Sequence, residues 1–295
     1  MRQILLLIAA VVLLGCEKKD PPAQPETKPE PKAAENKSKS PKAEPNNTEP
    51  KAVTKIPANA FVNTLGMPFV SVLRTKVQFC MWETRVKDYA AYASVNVGVD
   101  GSWKNPLYKS YNGKILGNFT QEDTHPVVMV NRKDAQAFCA WLTKKELAEG
   151  KIKAGQKYRL PTDAEWSVAV GLGKEKGSTP AEKNWGIKGV YPWGKEWPPP
   201  KEAGNFNKGL KVDGFDFTAP VGSFAANKFG LYDMGGNAQE WSKDTLLPSS
   251  LTEVLRGGHW ESFTPKYMLS SSRNYVIIPG GRGGGKGFRC VLVSE

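Results

Sequence analysis

Few side chains in this sequence could perform metal or nucleophilic chemistry, because its 295 residues include four cysteines and two histidines. A facial-triad iron site needs two histidines and a carboxylate, and with only His125 and His259 in the chain no iron site is expected. Three of the cysteines, Cys80, Cys139 and Cys290, cannot all pair with one another. Cys139 lies in an apolar helical stretch, where a buried, inert thiol is expected. Cys80 and Cys290 lie in strand-like runs and could form a bridge, although nothing in the sequence requires one.

The fourth cysteine has the clearest chemical role. Arg2 is followed by the apolar run 4–14, the pattern of a secretory signal peptide and too short for a spanning helix. The run ends in Leu13-Leu14-Gly15-Cys16, which resembles the lipobox of bacterial lipoproteins. We therefore expect a signal peptide at 1–15 and lipid on Cys16, so that the protein is a membrane-anchored lipoprotein of the outer membrane or cell surface. The alternative is an ordinary signal peptide with a chance cysteine, and the sequence does not decide which membrane or leaflet is used.

The lipidated cysteine is followed by a tether. Residues 16–56 are rich in Pro, Lys and Glu and contain no aromatic residue, so they should be disordered and extended. Residues 57–295 are long enough for one large domain. The chain has a net charge of +12, but its basic residues are not concentrated in a stripe with interleaved aromatics. No nucleic-acid partner is therefore expected.

The elements that position the remaining candidate residues can be predicted from local patterns. They are a strand at Lys76–Trp82, a helix capped by Thr84, a buried strand at Pro126–Val130 and a helix capped by Asn131. Thr162 and Glu165 have the spacing of a capping box, which predicts another helix start. Beyond Val170 the sequence is irregular and rich in Gly, Pro, Trp and Asn, which indicates extensive ordered loops that need an additional means of support.

An ordered series of motifs in the domain resembles the formylglycine-generating-enzyme (sulfatase-modifying factor) family, an elaborated branch of the C-type-lectin fold. The motifs are His125-Pro126-Val127, Tyr158–Thr162 with Glu165-Trp166, Tyr191–Gly194, Pro220–Gly222, Phe229–Asp233, Gly236-Asn237 with Glu240-Trp241, Arg256–Gly258 and Gly287–Arg289. They span nearly the whole domain in the family's order. The resemblance implies an α+β fold with few regular elements and much organised loop.

The same resemblance implies which chemistry is missing. Oxidising members of the family hold copper with a pair of cysteines shortly after the Arg-Gly-Gly motif. Here Arg256–Gly258 is followed by no cysteine until Cys290, and Ser262 stands about where the first thiol would be. Copper(I) selects thiolate over a hydroxyl, so we expect neither copper nor oxidase activity, and the protein is predicted not to be an enzyme.

Calcium remains a candidate cofactor, because it takes oxygen ligands, including backbone carbonyls, and could tie irregular loops together. The resemblance implies two sites with a structural role. The first would use the side chains of Asn205 and Asp213 with the carbonyls of Phe206 and Phe215, and the second Asp233 and Glu240 with the carbonyls of Met234, Gly236 and Ala238. The alternative is that these carboxylates only accept hydrogen bonds from loop N–H groups.

From about residue 256 to 290 the sequence also resembles the variable region of proteins diversified by retroelements, in which adenine-directed copying changes chosen codons. The positions that match this pattern form a predicted ligand-binding face, consisting of His259, Ser262, Phe263, Tyr267, Asn274, Tyr275, Val276, Ile277, Gly280, Gly281, Gly283, Gly284 and Gly285. Aromatics beside adaptable polar residues are what paratopes use. Two alternatives stay open, namely a buried strand at Tyr275–Ile277 and a flexible loop without a partner at Gly283–Gly285.

These observations predict a surface-displayed lipoprotein that binds an external ligand, expected to be a protein, through this face. An enzyme with non-cysteine chemistry would need a convergent cluster of titratable groups, and Ser262 has only His259 and Glu261 nearby in sequence. A structural envelope lipoprotein that has lost ligand binding is the third hypothesis.

Overall fold

A computed structural model describes residues 56–109, 113–277 and 279–294. The predictions for the signal peptide, for lipidation of Cys16 and for nearly all of the tether lie outside these residues. No helix in the described part of the chain is both long and apolar enough to cross a bilayer.

Short strands and short helices alternate with long loops in the described residues. The strands are β1 (Phe61–Val62), β2 (Pro68–Ser71), β3 (Val77–Cys80), β4 (Leu107–Lys109), β5 (Ile115–Asn118), β6 (Gln156–Arg159), β7 (Gln239–Thr245), β8 (Glu253–Arg256), β9 (Asn274–Val276), β10 (Lys286–Gly287) and β11 (Val291–Ser294). The helices are α1 (Val86–Val95), α2 (Arg132–Ala148), α3 (Asp163–Ala169), α4 (Pro180–Lys183) and α5 (Pro265–Met268), with single 3₁₀ turns at Ser102–Lys104 and Lys208–Leu210. This is the α+β architecture with much organised loop that the sequence predicts.

Two sheets carry the domain. The larger has the order β1-β2-β3-β11-β6, so the last strand of the chain lies in its interior and closes the domain. Its core contains Phe69, Tyr158 and Leu292, and α1 and α2 add Tyr89 and Phe138, whose rings stack at a centroid distance of 6.0 Å. The smaller sheet has the order β10-β7-β8-β9, with β10 parallel to β7. This smaller sheet presents the candidate site, because the chain leaves it at the end of β8 and returns to it at β9 and β10.

Local hydrogen bonding explains where the predicted helices begin. Asn131 caps α2 by accepting from the N–H of Asp134, and Thr162 and Glu165 form the predicted capping box at α3. The prediction for Thr84 was wrong by one residue. The N-cap of α1 is Arg85, whose backbone N–H donates to the carboxylate of Asp88 at 3.0 Å.

The predicted strand at Pro126–Val130 is not formed as a strand. Val127 and Val128 are fully buried, as the apolar run implies, but the pairing is limited to an isolated bridge between Arg85 and Pro126. Met129 has a φ of 59°, in the left-handed region, which breaks the extended conformation before a ladder can form.

All three described cysteines are free and buried. The Sγ of Cys290 lies 3.5 Å from that of Cys139, whereas Cys80 approaches Cys290 through its backbone N–H, which donates to the Cys290 carbonyl at 2.9 Å. The predicted inert thiol at Cys139 is thus buried in the core, and the bridge considered between Cys80 and Cys290 is not formed.

Candidate functional site

The residues that follow β8 surround a pocket of about 670 Å³, called here the aromatic pocket. Six members of the predicted binding face line it, namely His259, Ser262, Phe263, Tyr267, Asn274 and Tyr275. Glu261, Thr264 and Arg273 of the same part of the chain also line it. The remaining lining comes from other segments and consists of Lys109 and Leu116 of the β4–β5 hairpin, Trp185, Asn207 and Gln239. The structure therefore brings two separate stretches of the predicted face, 259–267 and 274–275, to one concavity.

Several aromatic and apolar side chains around the pocket are exposed. The exposed fractions are 60% for Phe263, 47% for Tyr267, 46% for Tyr275 and 71% for Ile277. Tyr275 does lie in a strand, β9, at the edge of the smaller sheet, but the alternative of a buried strand at Tyr275–Ile277 is excluded by these exposures. Val276 faces inward and packs against the core.

The predicted glycines do not all lie at an open surface. A Cβ on Gly285 would lie 2.5 Å from His259 Nδ1, and a Cβ on Gly284 would lie 2.4 Å from the carbonyl oxygen of Leu107. Gly283, Gly280 and Gly281 are half-buried, and none of the five glycines lines the pocket. Gly284 and Gly285 thus serve close packing beneath the face, and a larger residue at either position requires neighbouring atoms to move.

His259 forms part of the pocket floor as a neutral base. The backbone N–H of Glu261 donates to its Nδ1 at 3.3 Å. Burial, reinforced by the charge of Lys286, lowers the pKa of His259 to about 4. The imidazole is therefore uncharged at neutral pH and does not add positive charge to the pocket.

Ser262 fixes the turn that leads into the pocket. Its Oγ accepts the backbone N–H of His259 at 3.0 Å, and its carbonyl oxygen accepts the N–H of Asn207 at 3.1 Å. Among the described residues, no hydrogen bond joins this hydroxyl to an imidazole or a carboxylate. The contact between a nucleophile and its base that serine catalysis requires is therefore not present here.

A buried ionic network anchors the segment that carries the pocket. Arg256 Nη1 donates to Asp163 Oδ1 at 2.5 Å, and Arg273 donates to the same carboxylate at 3.0 and 2.9 Å and to Glu175 at 2.5 Å. Both guanidinium groups are fully buried, and Arg256 also lies 4.3 Å from the ring centroid of Trp166. Burial alone would raise the pKa of Asp163, but the two arginines outweigh it and hold that pKa below its ordinary value.

A second buried network lies at the other end of the segment. Arg289 donates to Glu240 at 2.6 Å, and Trp166 Nε1 donates to the other oxygen of the same carboxylate at 2.9 Å. Glu83, also fully buried, accepts the backbone N–H of Ala238 at 3.0 Å. Burial and the nearby charge of Asp233 raise the pKa of Glu83 well above its ordinary value.

The sequence motifs contain Arg256 and Arg289, but they indicate none of these partners. Arg273, Asp163 and Glu83 were not predicted as site residues. A carboxylate beside the capping box was the one visible indication for Asp163, and nothing local indicated Glu83.

Residues 42–293 match the sulfatase-modifying factor enzyme 1-like domain. The chain belongs to this formylglycine-generating-enzyme family. Because the match extends over most of the chain, the ordered motifs and the fold they predicted are confirmed.

Relatives in this family differ in activity. The chain is 37% identical over 168 residues to the Mus musculus protein named inactive C-alpha-formylglycine-generating enzyme 2. This alignment covers 54% of this chain and 46% of that protein. The chain is 34% identical over 201 residues to the formylglycine-generating enzyme of Thermomonospora curvata. That alignment covers 59% of this chain and 57% of the enzyme. The chain thus spans about half the length of these curated relatives.

A solved structure supports the same fold. PvdO from Pseudomonas aeruginosa aligns with a TM-score of 0.51 and 24% identity over 78% of this chain and 82% of its own. Treponema denticola variable protein 1 aligns over 80% of this chain and 94% of its own, with a TM-score of 0.47 and 18% identity.

The residues that this family resemblance assigned to calcium can be compared with their surroundings. At the first position, the buried Oδ1 of Asn205 has no donor among the described residues, and Asp213 accepts the N–H groups of Phe206 and Phe215 at 2.9 Å each. The pKa of Asp213 is nevertheless raised, because the effect of burial exceeds that of the two N–H groups, so the charge of the carboxylate is undercompensated. Oxygen ligands around such a position suit calcium.

The second position fits less well. Asp233 Oδ1 has no donor among the described residues, but both oxygens of Glu240 are occupied by Arg289 and Trp166. The described part of the chain also contains no group of three or more His, Cys, Asp or Glu side chains that could hold a metal ion. Calcium at this position would therefore depend on backbone carbonyls and on a rearranged Glu240.

The other histidine has a local role. His125 Nδ1 is hydrogen-bonded to Thr218 Oγ1 at 3.0 Å, and burial lowers the pKa of His125. It does not line the aromatic pocket, and it is half-buried and hydrogen-bonded.

Proposed function

We propose that this protein is a lipid-anchored binding protein that presents the aromatic pocket and its surrounding face to an external protein ligand. The observation that carries the proposal is the gathering of six predicted face residues around one concavity rimmed by exposed Phe263, Tyr267 and Tyr275. Large, rigid aromatic side chains supply contact area at a low cost in conformational entropy, which is why binding sites are enriched in them.

The experiment is selection from a peptide display library on the full chain, followed by binding to matched variants. Tyr275→Ala and Phe263→Ala should weaken most selected peptides by tenfold or more, the loss expected of a hot-spot aromatic. Leu251→Ala is the control, since Leu251 is exposed but does not line the pocket. Selected peptides that respond to none of the face variants would show that binding occurs elsewhere.

We propose further that the face is diversified at the level of the gene. The DNA around the gene should then contain a near-copy of the region encoding about residues 256–290, differing at adenines, together with a reverse transcriptase gene. Gly284 and Gly285 should be constant among sibling sequences, because any side chain there collides with a neighbour. Uniform variation along the whole gene among siblings would contradict diversification.

The lipid anchor is proposed from the sequence pattern around Cys16. Palmitate supplied to expressing cells should label the full chain, and Cys16→Ser should lose the label and remain unprocessed. Equal labelling of both chains would exclude Cys16 as the acceptor. Protease treatment of intact cells then measures whether the chain lies on the outer face of the membrane.

Absence of oxidase activity is the corresponding proposal on catalysis. Among the described residues no cysteine lines the aromatic pocket, and Ser262 offers a hydroxyl, which copper(I) does not favour. The specific observation in favour of an enzyme is the similarity to the Thermomonospora curvata enzyme. The purified chain should yield no aldehyde from a cysteine peptide with added copper, and aldehyde formation above the protein-free level would establish the enzyme instead.

We also propose a structural calcium ion at the first candidate position. Asn205 and Asp213 would hold it with the carbonyls of Phe206 and Phe215, and the undercompensated oxygens described above support this assignment. The ion would supply positive charge and tie two loops together. The second position is a weaker proposal of the same kind, since Glu240 is already paired.

A further inference from the structure

Glu261 places a carboxylate in the lining of the aromatic pocket. Its backbone N–H is bonded to His259, but its carboxylate has no hydrogen-bond or ion-pair partner among the described residues. The side chain is half-buried, and this burial raises the pKa of Glu261. A partly desolvated carboxylate without a partner is a costly feature unless a ligand supplies the missing charge.

Cations near the pocket do not supply that charge. Arg273 is committed to Asp163 and Glu175, and His259 is neutral. Lys266 lies with its Nζ 3.6 Å from the ring centroid of Trp185, a cation–π contact. Lys109, exposed on the β4–β5 hairpin, lines the pocket without an ion pair to Glu261.

Aromatic side chains share the lining of the pocket with Glu261. Phe263, Tyr267 and Tyr275 line the same pocket, and each is about half exposed or more. A carboxylate beside accessible aromatic rings is the environment that favours ammonium and guanidinium groups, because the ring faces attract a cation and the carboxylate neutralises it. An anionic ligand group would instead be repelled by Glu261 and could pair only with Lys109, which lies on the β4–β5 hairpin.

We propose that the aromatic pocket receives a cationic side chain of the ligand, a lysine ammonium or an arginine guanidinium, which pairs with Glu261 among the aromatic rings. This inference rests on the proposed binding function and names the chemistry of the group that enters the pocket. Glu261 is not among the positions of the predicted variable face, so the cationic group would be a shared requirement while the rim varies.

Saturation-transfer NMR titration of the full chain with small probes tests the pairing. The probes are the Nα-acetyl methylamides of lysine, norleucine and glutamate, which share a backbone and differ in side-chain charge. The lysine probe should bind about fivefold more tightly than norleucine, as a partly exposed cation–π and ion-pair site allows, and glutamate should bind weakest. Glu261→Gln should abolish the preference for lysine.

Matched controls separate this inference from the proposed function. Glu149→Gln changes an exposed carboxylate directly after α2 and should keep the full preference for lysine. Unchanged thermal melting of Glu261→Gln would show that its fold is intact. Equal affinities for lysine and norleucine, a preference that survives Glu261→Gln, or the absence of any saturation transfer would each overturn the inference. If the selected peptides depend on Tyr275 but contain neither lysine nor arginine, the proposed binding face is supported and the cationic pairing is refuted.

Discussion

Replacement of Asp163 by asparagine removes the charge shared by the two buried arginines that hold the pocket segment. Its carboxylate accepts three hydrogen bonds, one from Arg256 at 2.5 Å and two from Arg273 at 3.0 and 2.9 Å. Arg273 keeps Glu175 as a second partner, but Arg256 has no other carboxylate within salt-bridge distance among the described residues. Asp163→Asn therefore leaves one buried guanidinium uncompensated.

Removal of one member of a buried ion pair costs about 3–5 kcal/mol, because the remaining charge is desolvated without a partner. Burial already lowers the pKa of Arg256 to about 10, which shows how strongly this position disfavours the charge. For a domain of this size the loss corresponds to a melting temperature lower by on the order of 10 °C. The magnitude exceeds that of an ordinary surface substitution several-fold.

Urea unfolding followed by tryptophan fluorescence measures this loss, with Asp216→Asn as the matched control. Asp216 pairs with Lys208 at 3.4 Å, but both side chains are more than 70% exposed, so the control should change the unfolding free energy by less than about 1 kcal/mol. The two substitutions are chemically identical, but Asp163 is buried between two arginines, whereas Asp216 is exposed beside one lysine.

The pH dependence gives an independent check. The pKa of Asp163 is depressed in the folded chain, so its stabilising effect is complete above its unfolded pKa near 4 and is lost as the pH falls through the lower folded value. The stabilities of the wild-type chain and of Asp163→Asn should therefore converge below about pH 4. An Asp163→Asn chain within about 1 kcal/mol of wild type at pH 7 would refute the argument that this network anchors the segment.

Three further outcomes follow from the structure. Gly285→Ala should destabilise the chain by about 1–3 kcal/mol in urea unfolding, because its Cβ meets His259, whereas Gly214→Ala, with open space around it, should be nearly neutral. Chelation of calcium should lower the melting temperature by several degrees, which is the effect of removing an ion present at about 100 times its Kd. Asp213→Asn should abolish that response. An unchanged melting temperature of the wild-type chain would argue against calcium. A thiol reagent should react with Cys80, Cys139 and Cys290 only after unfolding, because all three thiols are buried. Burial also raises the pKa of Cys80 to about 12 and that of Cys290 well above its usual range. Rapid reaction of the native chain would contradict their placement in the core.

Local sequence patterns predicted the features that depend on local hydrogen bonds. The caps at Asn131 and Thr162 are of this kind, because donor and acceptor lie three residues apart. Burial of Val127 and Val128 was predicted correctly from their apolar run, but their backbone conformation was not, since pairing needs a partner strand that the run does not contain.

The long-range networks could not be predicted in the same way. Asp163 meets Arg256 and Arg273 across 93 and 110 residues, and Glu83 meets Asn237 across 154. Spacing within a motif carries no information on such partners. The pocket could not be predicted from local patterns either. The β4–β5 hairpin, which forms one wall of it, lies far from the predicted face in sequence and meets it only in the folded chain.

Arg256, Arg273 and Arg289 divide the last part of the domain into two loops of about fifteen residues, each fastened at both ends by a buried ionic contact. The entropy of closing a loop depends only weakly on its length, so an insertion between the fastened ends adds little to that entropy cost. The constraint of folding then falls on the three arginines, their partners and closely packed positions such as Gly285. If this face binds a ligand as proposed, its exposed residues between the arginines can change at a pace set by recognition.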